Sequence, residues 1–156
     1  MKGVMGVTVD SDRAEDLLLE HQLCFALSVA SRSVVAAYKP VLEGLGLTHP
    51  QYLVMLALWE QSPRTVKELG EALAQEPATL SPMLKRLEGA GLVTRERVAG
   101  NERALAIELT DAGAALRERA LAVPGTMLER LELDREMLQE LNVSMRRLID
   151  AAQRAA

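Results

Sequence analysis

Cysteine is nearly absent from this sequence: Cys24 stands alone among 156 residues. A single thiol makes no internal disulfide, no C-x-x-C redox pair and no cysteine cage for zinc. Long apolar runs are missing too. The stretch from Gly44 to Trp59 carries no Asp, Glu, Lys or Arg, but it holds Thr48, His49, Pro50 and Gln51, and it falls short of the ~20 residues of a membrane span. A secretory pattern is lacking as well, because Asp10, Asp12, Glu15 and Asp16 follow soon after Lys2. The expected place is the cytoplasm, where a lone thiol stays reduced. Repeats and low-complexity tracts are not evident. No excess of positive charge appears either: the formal net charge is −4. On average this disfavours a polyanion as partner, but an average hides local patches.

What is present is a globular composition, 49% hydrophobic and 26% charged, in a length that suits one domain extended by helices. The charge is uneven. Residues 1–62 carry 4 Lys/Arg against 7 Asp/Glu, residues 63–109 carry 7 against 7, and residues 110–156 carry 7 against 8. Within the neutral middle, Lys85, Arg86, Arg95, Arg97 and Arg103 cluster against Glu88, Glu96 and Glu102. On charge alone this is equally a mixed solvated face.

Residues 1–11 have no period and read as a flexible N-terminus. From Asp12 to Leu42 the spacing predicts a helix, with Leu17, Cys24, Ser31 and Tyr38 every seven residues. Gly44 and Gly46 end it. Thr48 is an N-cap and Pro50 suits the first turn of a second helix, to about Gln61, with Leu53, Leu56 and Trp59 inward. Thr65-Val66-Lys67-Glu68 reads as a capping box. The short helix it opens ends near Ala74, and Pro77 starts another that runs to about Gly89. That helix puts Leu80, Leu84 and Leu87 on one face, and Thr79, Ser81, Pro82, Lys85 and Arg86 on the other. Two short helices joined tightly make a helix-turn-helix.

After Gly91 the period drops to 2. Leu92–Val98 and Arg103–Leu109 predict a hairpin around a turn at Ala99-Gly100-Asn101-Glu102. Thr110-Asp111 caps a helix to about Val123, Pro124-Gly125 interrupts, and a last helix spans about 126–154 with a seam of Leu131, Leu138, Leu141, Met145 and Leu148. The fold class is therefore mainly α with a small β-hairpin wing: a winged helix-turn-helix over 48–109, flanked by helices at 12–47 and 110–156. The sustained seams of the end helices predict a homodimer; an intramolecular bundle is the other reading.

A winged helix lays its second helix in the major groove and its wing on phosphates or in the minor groove. Thr79, Ser81, Pro82, Lys85 and Arg86 lie where such contacts form, and Arg95, Asn101 and Arg103 lie on or near the wing. The alternative use of the module is protein contact. No metal-ligand spacing, cofactor loop or general-base constellation is present, so the chain does not read as an enzyme, and no cofactor is expected.

Cys24 on an apolar face is by itself an ordinary small hydrophobe. Its neighbourhood says more. Gln22-Leu23-Cys24-Phe25-Ala26-Leu27, Tyr38-Lys39-Pro40, and Leu45-Gly46-Leu47-Thr48-His49-Pro50-Gln51-Tyr52-Leu53-Val54-Met55 resemble the one-cysteine organic-hydroperoxide repressors of the MarR family. The similarity continues through Ala78-Thr79-Leu80-Ser81-Pro82-Met83-Leu84-Lys85-Arg86-Leu87-Glu88 and Leu109-Thr110-Asp111-Ala112-Gly113, covering roughly residues 16–120. The resemblance implies a homodimeric repressor of double-stranded operator DNA. Its effector would be an organic hydroperoxide that oxidises Cys24, and Tyr38 would hydrogen-bond the cysteine of the other subunit. Spacing agrees that the pair is not intrachain: fourteen residues of helix span about 21 Å. A phenol O–H donated to a thiolate stabilises it.

Three positions depart from the family pattern. His49 stands where a second thiolate-supporting tyrosine is common. No resolving cysteine follows, so a low-molecular-weight thiol would complete a mixed disulfide. The wing tip reads Asn101-Glu102-Arg103 in place of D-x-R. A MarR-type regulator that binds a small apolar or aromatic ligand, with Cys24 inert, is the alternative function.

Overall fold

In a computed structural model, the described residues are 12–156, apart from the side chains of Glu102 and Arg103. The segment 1–11, expected to be a flexible N-terminus, lies outside them. The chain divides into two units after Ala37.

The first unit contains a helical turn at 12–15, a 3-10 turn at Leu19–His21 and most of helix α1, Leu23–Glu43. The helix expected from Asp12 is thus broken over 16–22, where the backbone is extended at Leu18 (φ −63°, ψ 138°) and at Gln22 (φ −85°, ψ 121°). Side chains take over the backbone bonding there. Gln22 Nε2 donates to the carbonyls of Asp16 (2.7 Å) and Leu18 (2.9 Å), and His21 Nδ1 donates to that of Glu15 (2.8 Å). A heptad spacing reports which residues share a face, not whether the backbone ladder continues between them. The consequence is that Cys24 lies in the first turn of α1 and not in the middle of a longer helix.

The second unit begins at Tyr38. Helix α2, His49–Glu60, starts at a reciprocal cap: Gln51 N–H donates to Thr48 Oγ1 (3.3 Å), and Thr48 N–H donates to Gln51 Oε1 (3.0 Å). Its burial runs most of the way round, through Tyr52, Val54, Met55, Ala57 and Leu58. Leu56, expected inward, is 38% exposed, and Leu53 and Trp59 are half-buried. A helix covered on several sides gives no single stripe to read. Trp59 Nε1 donates to the Gly113 carbonyl at 2.9 Å.

Strand β1, Arg64–Thr65, precedes helix α3, Val66–Leu73, whose capping box at Thr65 and Glu68 forms with both bonds at 3.1 Å. Helix α4, Pro77–Gly89, follows after a tight turn in which Ala74 is left-handed (φ 53°). A Cβ on Gly70 would approach the Gln75 carbonyl oxygen to 2.7 Å, so glycine lets this turn close. Leu80, Leu84 and Leu87 are at most 1% exposed. Each contributes about 2 kcal/mol by removal of its side chain from water.

Strands β2, Val93–Val98, and β3, Asn101–Leu109, pair antiparallel around a turn at Ala99-Gly100, with Gly100 at φ 83°. The turn is two residues long, shorter than expected, and Asn101 already belongs to β3. β1 adds to the other side of β3, so the wing is a three-stranded sheet of order β1-β3-β2, with Arg64 opposite Ile107 and Thr65 opposite Ala106. Two residues are too few to show a period, which is why β1 left no trace in the sequence pattern.

Helix α5, Asp111–Ala120, is capped by Thr110, whose Oγ1 accepts from Gly113 N–H (3.1 Å). The interruption expected at Pro124-Gly125 falls earlier, at 121–122, and Pro124 sits in the first turn of helix α6, Val123–Arg130. The expected single helix over 126–154 is likewise two. Glu132 is left-handed (φ 54°), Asp134 Oδ1 accepts from Met137 N–H (2.8 Å), and helix α7 runs from Arg135 to Ala155. Leu131 therefore does not share a helix with Leu138, Leu141, Met145 and Leu148.

Gly113 joins several elements, since it is held by Thr110 and accepts from Trp59. A Cβ there would collide with the Leu92 carbonyl oxygen. Gly113→Ala is expected to destabilise the protein by about 3 kcal/mol, read as a lower urea midpoint at unchanged slope.

Candidate nucleic-acid interface and cysteine site

Helix α4 separates its two faces cleanly. With the leucines buried, Thr79, Ser81, Pro82, Lys85 and Arg86 are all exposed. Its N-cap residue, Glu76, makes no side-chain cap bond. Thr79 and Ser81 thus flank a helix start that retains its partial positive charge. Lys85 and Arg86 form no ion pair among the described residues.

Between this helix and the wing lies a concave cavity of about 700 Å³, lined by Thr65, Lys67, Pro77, Ser81, Arg95 and Asn101 among others. Asn101 is exposed at the start of β3. Arg103 belongs to β3, but its side chain lies outside the described residues. Lys67 was not singled out from the sequence. It is exposed in the first turn of α3 and lines this cavity with Ser81, a placement that only the fold supplies.

Arg95 differs from the other candidate contacts. Its Nη2 donates to Glu88 Oε1 of α4 at 3.0 Å. The pairing lowers the carboxyl of Glu88 and raises the guanidinium of Arg95 from their usual ranges, chiefly through that hydrogen bond. Cross-strand register explains the direction of the side chain. Val93, Arg95 and Arg97 oppose Leu109, Ile107 and Leu105, so these alternate positions share one side of the strand.

Cys24 lies in the first unit, is exposed, and is the second residue of α1. Tyr38 and His49 lie in the second unit, where the fold brings them together: their ring centroids are 5.1 Å apart, and Tyr52 lies 5.9 Å from Tyr38. Burial raises both phenols above their ordinary values, Tyr52 also by the Tyr38 charge, and lowers the His49 imidazole below 6.5. Above about pH 6.5 the imidazole is neutral in both folded and unfolded chains. As pH falls below that value the unfolded chain takes up the proton first, so stability declines until pH passes the folded value. His49→Gln is expected to flatten the urea-midpoint profile below pH 6.5.

Among the described residues no group of His, Cys, Asp and Glu could hold a metal ion, and no helix is long and apolar enough to cross a membrane.

Comparison with known proteins gives a consistent result. The sequence model of the MarR family matches residues 47–105. The organic hydroperoxide resistance transcriptional regulator of Bacillus subtilis (strain 168) is 43% identical over 139 residues, which is 89% of this chain and 95% of that protein. Reduced AbfR bound to DNA superposes with a TM-score of 0.79 at 34% identity, covering 92% of this chain and 98% of that one. Disulfide-formed AbfR matches with a TM-score of 0.64 at 36% identity, covering 90% and 98%; AbfR is a protein of Staphylococcus epidermidis. Sequence and fold agree over most of the chain, which belongs to the MarR family of transcriptional regulators.

Proposed function

We propose that this regulator is a homodimeric repressor that holds operator DNA while Cys24 is reduced and releases it when an organic hydroperoxide oxidises Cys24. The observation that carries this reading is an exposed, solitary Cys24 in a chain 43% identical to a regulator of organic hydroperoxide resistance. The reacting form of a cysteine is its thiolate. The thiolate sulfur attacks one peroxide oxygen, the O–O bond breaks, and the departing alkoxide takes a proton and leaves as an alcohol. Cys24 becomes a sulfenic acid while the peroxide is reduced. A low-molecular-weight thiol then attacks the sulfenic sulfur, giving a mixed disulfide and water. Tyr38 and His49 are the proposed thiolate supports, acting across the dimer.

On the DNA side, α4 would enter the major groove. Thr79 and Ser81 sit at its start, where hydroxyls and N–H groups meet phosphates, and Pro82 packs beside the backbone. Lys85 and Arg86 reach bases or phosphates one turn on, and Asn101 and Arg103 serve the wing. The test is operator binding by the purified protein with and without cumene hydroperoxide and a small thiol, beside intact mass. Release coincident with a mixed-disulfide increment supports the reading.

A second reading has one observation behind it. A cavity of about 380 Å³ is lined by Tyr52, Leu56, Trp59 and Leu121, among others, and would suit a small aromatic ligand. Ligand-induced release without any mass change at Cys24 would favour it.

A further inference from the structure

Arg95 invites assignment to DNA because it is a basic residue on the first wing strand, yet its surroundings point inward. It stands opposite Ile107, which is fully buried, and two pairs along from Val93, which is on the same face and 1% exposed. Its side chain therefore leaves the sheet on the face that packs toward α4. There Nη2 meets Glu88 Oε1 at 3.0 Å, with the arginine side chain 24% exposed and the glutamate 40%. Nε of Arg95 is buried and has no hydrogen-bond partner. An arginine serving a phosphate would keep its fork in water until DNA arrived; this one has part of its fork already withdrawn from solvent.

From this geometry we propose that Glu88 and Arg95 form an internal strut that sets the angle between α4 and the wing, and that Arg95 is a positioning residue without a phosphate of its own. The pair joins the two elements a winged helix applies to separate grooves. Specific recognition requires both at once, so their relative placement affects the choice of sequence more than overall attraction to DNA. Glu88 sits near the C-terminal end of α4, where an acid is unfavourable to the helix dipole; its partner across the gap offsets that. The proposal rests on the DNA-binding reading above and adds a residue role to it.

The sign of one substitution separates the alternatives. Suppose Arg95 were a phosphate ligand restrained by Glu88. Glu88→Gln would then release it and tighten operator binding, and Arg95→Gln would reduce the salt dependence by about one counterion per half-site. A strut gives the opposite pattern. Glu88→Gln and Arg95→Gln each weaken operator binding by about 5-fold, the double variant is no worse than either single one, and the slope of log affinity against log salt is unchanged. Binding to non-specific duplex does not weaken, so the specificity ratio falls. Simple destabilisation would instead lower both affinities together.

Amide hydrogen exchange of the DNA-free protein supplies the second readout. The strut predicts faster exchange in β2 and in the last turn of α4 for both single variants. Should the wild-type protein bind no duplex at all, the DNA-binding reading fails, and hydrogen exchange alone still decides the strut. Tighter operator binding by Glu88→Gln, a reduced salt slope in Arg95→Gln, or unchanged exchange in both variants would overturn it.

Discussion

Cys24→Ser binds operator within about twofold of the wild-type protein and no longer releases it on addition of organic hydroperoxide. The first half follows from position. Cys24 is exposed in the first turn of α1, far in sequence from the α4 face and the wing, and an isosteric exchange at such a site costs no more than about 0.5 kcal/mol. The second half follows from chemistry. Serine has no accessible thiolate equivalent at neutral pH and forms neither sulfenic acid nor disulfide. Because the sequence contains a single cysteine, no other thiol substitutes for it. The effect is expected to be all-or-none in gel shift or fluorescence anisotropy. Release that persists in Cys24→Ser would remove the redox mechanism and leave the small-ligand reading in its place.

A second large effect is expected from the C-terminal helix. α7 runs for 21 residues and buries none of them. Met137, Leu141, Met145 and Ile149 are 45%, 46%, 37% and 51% exposed, at the 4-residue spacing of one helix face. An apolar stripe of this length in water is a strong drive to association. Leu141→Asp combined with Ile149→Asp places two carboxylates in that stripe, which is expected to shift the protein from dimer to monomer in analytical ultracentrifugation. Operator affinity should fall by about a hundredfold or more, because each monomer then engages a half-site without the gain of a linked second contact. Retention of a dimer by the double variant would place the interface elsewhere.

Much of this architecture was legible from residue types alone. Thr48 and Thr65 announced helix starts, because a hydroxyl before an apolar period has an obvious backbone partner. Pro77 announced α4, and Leu80, Leu84 and Leu87 announced its buried face. What escaped the sequence depended on contacts between residues that no period links. Gln22 ends a helical course by giving its side-chain amide to Asp16 and Leu18. Glu132 turns left-handed where the leucine spacing ran on without interruption. β1 exists because β3 offers it an edge. The site shows the same division. A period of 2 located the strands of the hairpin, but which side of it faced α4 became clear only with Ile107 and Glu88 in place. His49 and Tyr38 lie eleven residues apart in the sequence, and only the fold sets their rings in contact.

The most direct test joins chemistry to DNA in one sample. Protein bound to a labelled operator palindrome is titrated with cumene hydroperoxide in the presence of a small thiol, and anisotropy and intact mass are read at each step. The account predicts that loss of anisotropy tracks, with equal stoichiometry, a mass increment of one thiol adduct on Cys24. Full release with Cys24 unmodified, or complete adduct formation with the operator still bound, would contradict it.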